Sequence, residues 1–344
     1  MSPRSTMPSV RLFLLGAIVC AAPRLSAQDI ASPPLHADDA AAVQRALEAS
    51  GIEFQTSAKV PYTFGGLSAQ LETFGIKRGS LKPCAVHHVG RENQFFSLVH
   101  DDQGRVLAIA GNGPWLPNAA LVELAALPEL RIISMDHNVR PEKGWDNPDF
   151  DGTGFQAFAR SKLANVRIGH GFQDKGLEAV ASLPSLRELS VGHSRITEAG
   201  IGVLRGQAGL TALQISEMGR FSPRALEVLA SLPNLTSVGF GEAFVTYREG
   251  LEFLKPCAGR LKRIDLRMCL IPPDDLATVK ADHPAAEILT STPEQIVKAH
   301  SPIANRILEK AGQPVGQPLA AALIAAGKLE KGLEKTWGQP AAAK

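Results

Sequence analysis

Along residues 130–289 the apolar positions follow two interlocked rhythms. One is a six-residue string: Leu130-x-x-Ile133-x-Met135, Leu163-x-x-Val166-x-Ile168, Leu186-x-x-Leu189-x-Val191, Leu210-x-x-Leu213-x-Ile215, Leu235-x-x-Val238-x-Phe240 and Leu261-x-x-Ile264-x-Leu266. From residue 163 its starts are 23, 24, 25 and 26 residues apart, and the 33-residue step before them carries an insertion. The other is Gly176-Leu177-x-x-Val180, Gly200-Ile201-x-x-Leu204, Ala225-Leu226-x-x-Leu229, Gly250-Leu251-x-x-Leu254 and Asp275-Leu276-x-x-Val279. Its apolar leaders are 24 or 25 residues apart. Alternation in the first string predicts a short strand with both apolar side chains on one face. Spacings of three and four in the second, as in Leu226, Leu229 and Ala230, predict one face of a short helix. Leu-Pro joins at Leu127-Pro128, Leu183-Pro184 and Leu232-Pro233 end each helix, because proline cannot continue it. A lone strand-helix unit cannot cover its apolar face, so the units must stack, with parallel strands about 4.8 Å apart.

These residues resemble the leucine-rich-repeat family, in particular the ribonuclease-inhibitor-like solenoids of bacterial and other proteins. The resemblance covers 130–289, with a degenerate start at Val106–Ile109, again 24 residues before Leu130. It implies an α/β solenoid with a parallel concave sheet and convex helices. The family's unit usually carries Asn or Cys at its ninth position, and here that column reads Asn138, Gly171, Ser194, Met218, Ala243 and Cys269. The polar ladder is therefore incomplete, and small residues must take its place in the middle units.

The flanks divide the chain further. Residues 1–27 read as a signal peptide: Arg4 and Arg11, then the apolar run Leu12 to Ala22, then a small residue at Ala27. The run is too short to span a bilayer, which takes about 20 residues. Residues 28–105 form an N-terminal cap region. There, Asp38 and Asp39 cap a helix through about Ser50 with Gly51 as its stop, and a hairpin turns at Asp101–Gly104. Residues 52–94 cannot be phased with the repeat. The solenoid occupies 106–290, and 291–344 is a helical extension. Its first helix starts at the Thr292-Pro293-Glu294-Gln295 capping pattern and ends near Ala311, where it can seal the last unit. A second, Ala- and Lys-rich segment spans Leu319–Lys335.

Charge and cysteines narrow the function classes. Cleavage of the signal removes three arginines, leaving 33 Lys+Arg against 34 Asp+Glu and a net charge of −1. Nothing in that balance calls for nucleic acid, and no segment after cleavage reads as transmembrane. Cys84, Cys257 and Cys269 remain, an odd number for an exported chain, without metal or haem spacing. They read as buried structural thiols. No nucleophile elbow, phosphate loop or zinc-protease segment is present. A Cys84–His87–His88 nucleophile pair would need the fold to activate the thiol. The sequence therefore points to a non-enzyme without a cofactor.

Candidate binding residues lie on one side of the expected sheet. The column just after each strand reads His137, His170, His193, Glu217, Glu242 and Met268. It could form a solvated row, a pH-sensitive docking strip or a divalent-metal edge. The concave positions include Asp136, Asn165, Arg167, Glu188, Gln214, Arg263, Asp265 and Arg267 around a small, polar middle. The 138–154 insertion carries Trp145, Phe150 and the acidic residues Glu142, Asp146, Asp149 and Asp151, a spacing that could hold calcium. Such insertions often take part in binding. The expectation is a periplasmic or secreted recognition module that binds a protein or polysaccharide through the concave face and this loop. The alternatives are an envelope scaffold that docks through its terminal helices, and a metal-responsive protein.

Overall fold

The computed structural model describes residues 34–51, 82–87, 95–112, 116–136, 148–192, 194–216, 223–241, 247, 250–267, 269, 271 and 273–291. Ten strands form one sheet in chain order. They are β1 (Lys82–His87), β2 (Phe95–His100), β3 (Val106–Asn112), β4 (Ile132–Asp136), β5 (Asn165–Ile168), β6 (Glu188–Gly192), β7 (Ala212–Ser216), β8 (Ser237–Gly241), β9 (Arg263–Leu266) and β10 (Glu287–Thr290). β1, β2 and β3 pair antiparallel. Every later pair, from β3–β4 to β9–β10, is parallel. Parallel neighbours need a crossover, and helical segments supply it. The expected first unit is present: Ala108, Ile109 and Ala110 sit opposite Ile132, Ile133 and Ser134.

The sequence rhythm becomes the core row by row. Ile109, Ile133, Val166, Leu189, Leu213, Val238 and Ile264 stand opposite one another across successive strands. All are buried, in one cluster with the helical leaders Leu177, Ile201, Leu226 and Leu251. A backbone ladder runs beside them. The carbonyl of Arg131 accepts from Ala164 and Asn165 N–H at 2.9 and 3.0 Å, and that of Ala164 accepts from Arg187 and Glu188 at 2.8 and 3.0 Å. Arg187, Thr211 and Thr236 repeat the arrangement. Each unit thus satisfies the entry of the next strand, where an unpaired buried amide would be costly.

Three expectations need correction, and one segment that the spacing left unassigned gains a strand. First, helical spacing does not give α-helix throughout. Asn118–Leu124, Asp174–Ala181, Glu198–Ile201 and Pro273–Asp282 are α-helical, but Thr153–Phe158, Gly202–Leu204, Pro223–Ser231 and Leu251–Cys257 are 3-10. Apolar residues three apart fit either helix, and Pro256 inside Leu251–Cys257 has no amide to donate.

Second, Asp38 and Asp39 do not cap the first helix, α1 (Ala37–Ala49). His36 is the cap residue, its Nδ1 accepting from Asp38 N–H at 3.3 Å. Asp39 is buried and reaches the sheet instead, bonded to Arg105 Nη1 at 2.6 Å and accepting from Val106 N–H at 2.8 Å. Third, the unphased segment contains β1, which stands at the edge of the described sheet and pairs antiparallel with β2.

Fourth, the described part of the insertion turns inward from Phe150 on, while Pro148 and Asp149 are exposed. Phe150 is buried, stacked on Phe172 at 6.2 Å between ring centres, and Phe155 meets Phe172 edge-on. Asp151 Oδ1 accepts from Asn118 Nδ2 at 2.8 Å and from Thr153 N–H and Oγ at 2.9 and 2.7 Å. Burial alone would raise the Asp151 carboxyl, but these bonds outweigh it and hold the group below its ordinary value. The carboxylate that fits a calcium pattern is thus spent on the start of the Thr153–Phe158 segment. At the adjoining turn Gly152 has φ +94°, and an added Cβ would lie 2.5 Å from the Phe172 ring.

The buried thiols hold carbonyls, as expected of structural cysteines. Cys257 Sγ donates to Leu229 O at 3.5 Å, and Cys269 Sγ donates to Phe240 O. The Cys84 side chain, the signal segment and the two C-terminal helices of the sequence reading lie outside the described residues.

Candidate functional site

The sheet face opposite the helices forms rows of its own. Along the first, Ala108, Ile132, Asn165, Glu188, Ala212, Ser237 and Arg263 stand opposite one another. Along the second, two residues on, the order is Ala110, Ser134, Arg167, Ser190, Gln214, Gly239 and Asp265. Period-two alternation places both rows on the same face.

Burial divides this face. Val99, Ala108, Ala110 and Ile132 are buried, so its early end is covered. Further along it opens: Arg167 and Gln214 are exposed, and Ser134, Glu188, Ser190, Ala212, Ser237 and Asp265 are half-buried, with Asn165 and Gly239 buried among them.

Two polar groups frame the open part. At its early side Glu188 accepts from Asn165 Nδ2 at 2.6 Å, and burial pushes its carboxyl up from the ordinary value. A group protonated more readily when folded contributes stability below its ordinary value and loses it as pH rises. Arg167 projects from the adjacent strand on the same face. At the late side Asp265 accepts from Arg267 Nε at 2.9 Å and Nη2 at 2.6 Å, with Arg263 at 3.6 Å and Glu287 beyond it. Burial would raise Asp265, but the Arg267 bonds and both guanidinium charges hold it below its ordinary value. Ser190, Ala212, Gln214, Ser237 and Gly239 lie between, giving a shallow polar floor suited to surface contact.

The sequence candidates fare unevenly. Arg167 and Glu188 share the open face. Asp136 ends β4 with its backbone opposite Asn112, and its side chain lies outside the described residues. His170 follows β5 and is 8% exposed, so its ring is turned inward rather than solvated. His137, His193, Glu217, Glu242 and Trp145 lie outside the described residues. Asn165 and the Arg263–Asp265–Arg267 group were legible as face positions, but their bonding was not. The only available signal was the cluster of charges at alternate positions of one unit. Among the described residues no three His, Cys, Asp or Glu side chains come together as a metal site. No helix among them is long and apolar enough to cross a membrane.

The fold and face define a class: a mixed α/β repeat with a parallel sheet, one side covered by helices and the other open. No family model and no curated protein matches the chain. Among solved structures it is similar to an internalin from Listeria monocytogenes at 16% identity and TM-score 0.32, over 49% of this chain and 42% of that one. The match thus spans under half of the internalin, and at that score the likeness carries no argument about function.

Proposed function

We infer that the chain is a leucine-rich-repeat solenoid exported from the cytoplasm, a non-enzymatic module that binds a protein through its open sheet face. The observation that carries this reading is the split of that face. Helices cover one side of every unit, whereas from β5 to β9 the other side presents charged and polar groups on a shallow floor. A glycan is the second ligand class that such a floor accommodates. His137, His193, Glu217 and Glu242 of the column and the 138–149 part of the loop flank this surface in sequence and belong to the same proposal, with Trp145 as the loop's aromatic anchor; His170, Phe150 and Asp151 do not. Burial pushes the Cys257 thiol up and away from the reactive thiolate, in keeping with its structural contact to Leu229 O.

The test is capture of partners from the native envelope with wild-type protein and with an Arg167→Glu/Glu188→Lys variant that keeps its circular dichroism. The proposal expects a protein retained by the wild type and lost with the variant. Equal retention by both would remove this face from the binding surface. Release by free polysaccharide would assign the glycan class.

A further inference from the structure

The stack is closed differently at its two ends. At the first, α1 lays Val43, Ala46 and Leu47 against Leu98, Ile109, Leu116 and Leu124, and all are buried. At the other, Ile288 continues the core row beyond Ile264. Yet Ile288 and the helical leader Leu276 are only half-buried, as are Ile271, Ala286 and Leu289. Their counterparts in earlier units, such as Ile264, Val238, Leu251 and Leu226, are at most 1% exposed. The last apolar layer has no further unit to cover it among the described residues, and a repeat stack needs its terminal layer covered.

We propose that residues 292–311 of this chain dock on that layer, with Ile296, Ile303 and Ile307 set against Ile288 and Leu276. Three observations favour this occupant. The segment begins two residues after β10 ends at Thr290, so it is tethered beside the face. A tether this short gives an effective concentration on the order of millimolar, which a second copy in dilute solution does not reach. Residues 296, 303 and 307 are seven and four apart, the spacing of one helical stripe. Net charges match as well: Asp274 and Glu287 outnumber Lys280 among the exposed groups of 274–287, and in the segment Lys298, Arg306 and Lys310 outnumber Glu294 and Glu309.

The experiment uses the full mature chain. In an Ile296→Asp/Ile303→Asp variant, amide exchange in 287–290 and 276–282 rises about tenfold, while 188–216 keeps its protection. Independently, trypsin cuts slowly at Lys298 and Arg306 in the wild type and at least tenfold faster in Ile288→Asp. Unchanged exchange in the first variant, or equal cleavage in the second pair, overturns the proposal. Protection of 287–290 that falls on dilution of the wild type also overturns it, and assigns the layer to a second copy.

Discussion

The units before Ser216 and those after it are joined by different devices. In the early half, side chains at the helix starts clamp one unit to the next. Asn118 holds Asp151 and accepts from Gly152 and Gly154 N–H. Asp174 accepts from Thr197 N–H at 2.7 Å and from its hydroxyl at 2.6 Å, and Thr197 in turn caps Gly200. In the late half, among the described residues, the 3-10 segments are held at their far ends. Arg260 Nη2 donates to the carbonyls of Leu229 and Ala230 at 3.1 and 3.0 Å, beside the Cys257 contact. The last helix is tied back by Tyr247, whose N–H donates to Asp275 at 2.8 Å and whose hydroxyl donates to Asp282. That bond, with burial and the nearby carboxylate charges, pushes the tyrosine up to about 12. Orphan groups at helix ends need partners at both termini. Among the described residues the early half relies more on helix starts and the late half on Arg260, although Gln207 Nε2 donates to Ala181 O at a far end of the early half and Asp275 holds Tyr247 at a helix start of the late one.

The contrast can be broken most forcefully at a glycine. Gly152→Ala must strain a left-handed turn and push a methyl into Phe172 and the Gly176 backbone. It costs about 3 kcal/mol or more, read as a shift in the urea midpoint. Asp174→Ala is next: it removes two charge-assisted bonds to Thr197, whose exposed amide turns to water, and costs about 1–2 kcal/mol. Exchange then rises in 197–204 but not in 251–257. Arg260→Ala has the mirror outcome, about 1–2 kcal/mol with exchange rising in 251–261 only. Equal exchange in both halves for either variant would show that the clamps are not local.

Acid sharpens the comparison through His283. Burial holds this ring below its ordinary value, against the attraction of Asp282. The unfolded ring therefore takes up a proton that the folded ring resists, and stability is lost as pH falls through 6.5. Between pH 7.5 and 5.5 exchange in 273–290 should rise before that in 174–204, and His283→Phe should flatten the difference. The smallest effect belongs to Gly259→Ala. An added Cβ there meets nothing within 4 Å, so the thermal midpoint should stay within a degree or so, about 0.5 kcal/mol or less.

Strand positions and their register were legible because side-chain direction alternates strictly, and a slip of one residue would expose the whole apolar row. Helix type was not, since Leu226 and Leu229 sit equally well on an α or a 3-10 surface. Asp39 looked like a cap because its partner Arg105 is 66 residues away, and only the folded hairpin brings them together. β1 contains Pro83 and no repeat phase, so nothing local marked it. The open face was read correctly as polar at Arg167 and Glu188. Its covered early end was not, because Ala108 and Ile132 occupy the same alternating positions as the exposed residues of later strands. Phe150 and Asp151 resembled binding residues for a related reason: a buried aromatic and a capping carboxylate have the composition of a recognition loop.

The ladder of strand-entry carbonyls has a consequence for how the chain acquires its structure. The carbonyls of Arg131, Ala164, Arg187, Thr211 and Thr236 each accept from the next unit, 23 to 34 residues on. No step in that series has to wait for the two termini to meet, so loop closure never spans more than about one unit. Order can spread along the chain from whichever neighbouring pair forms first, and each newly formed unit is the template on which the following strand condenses.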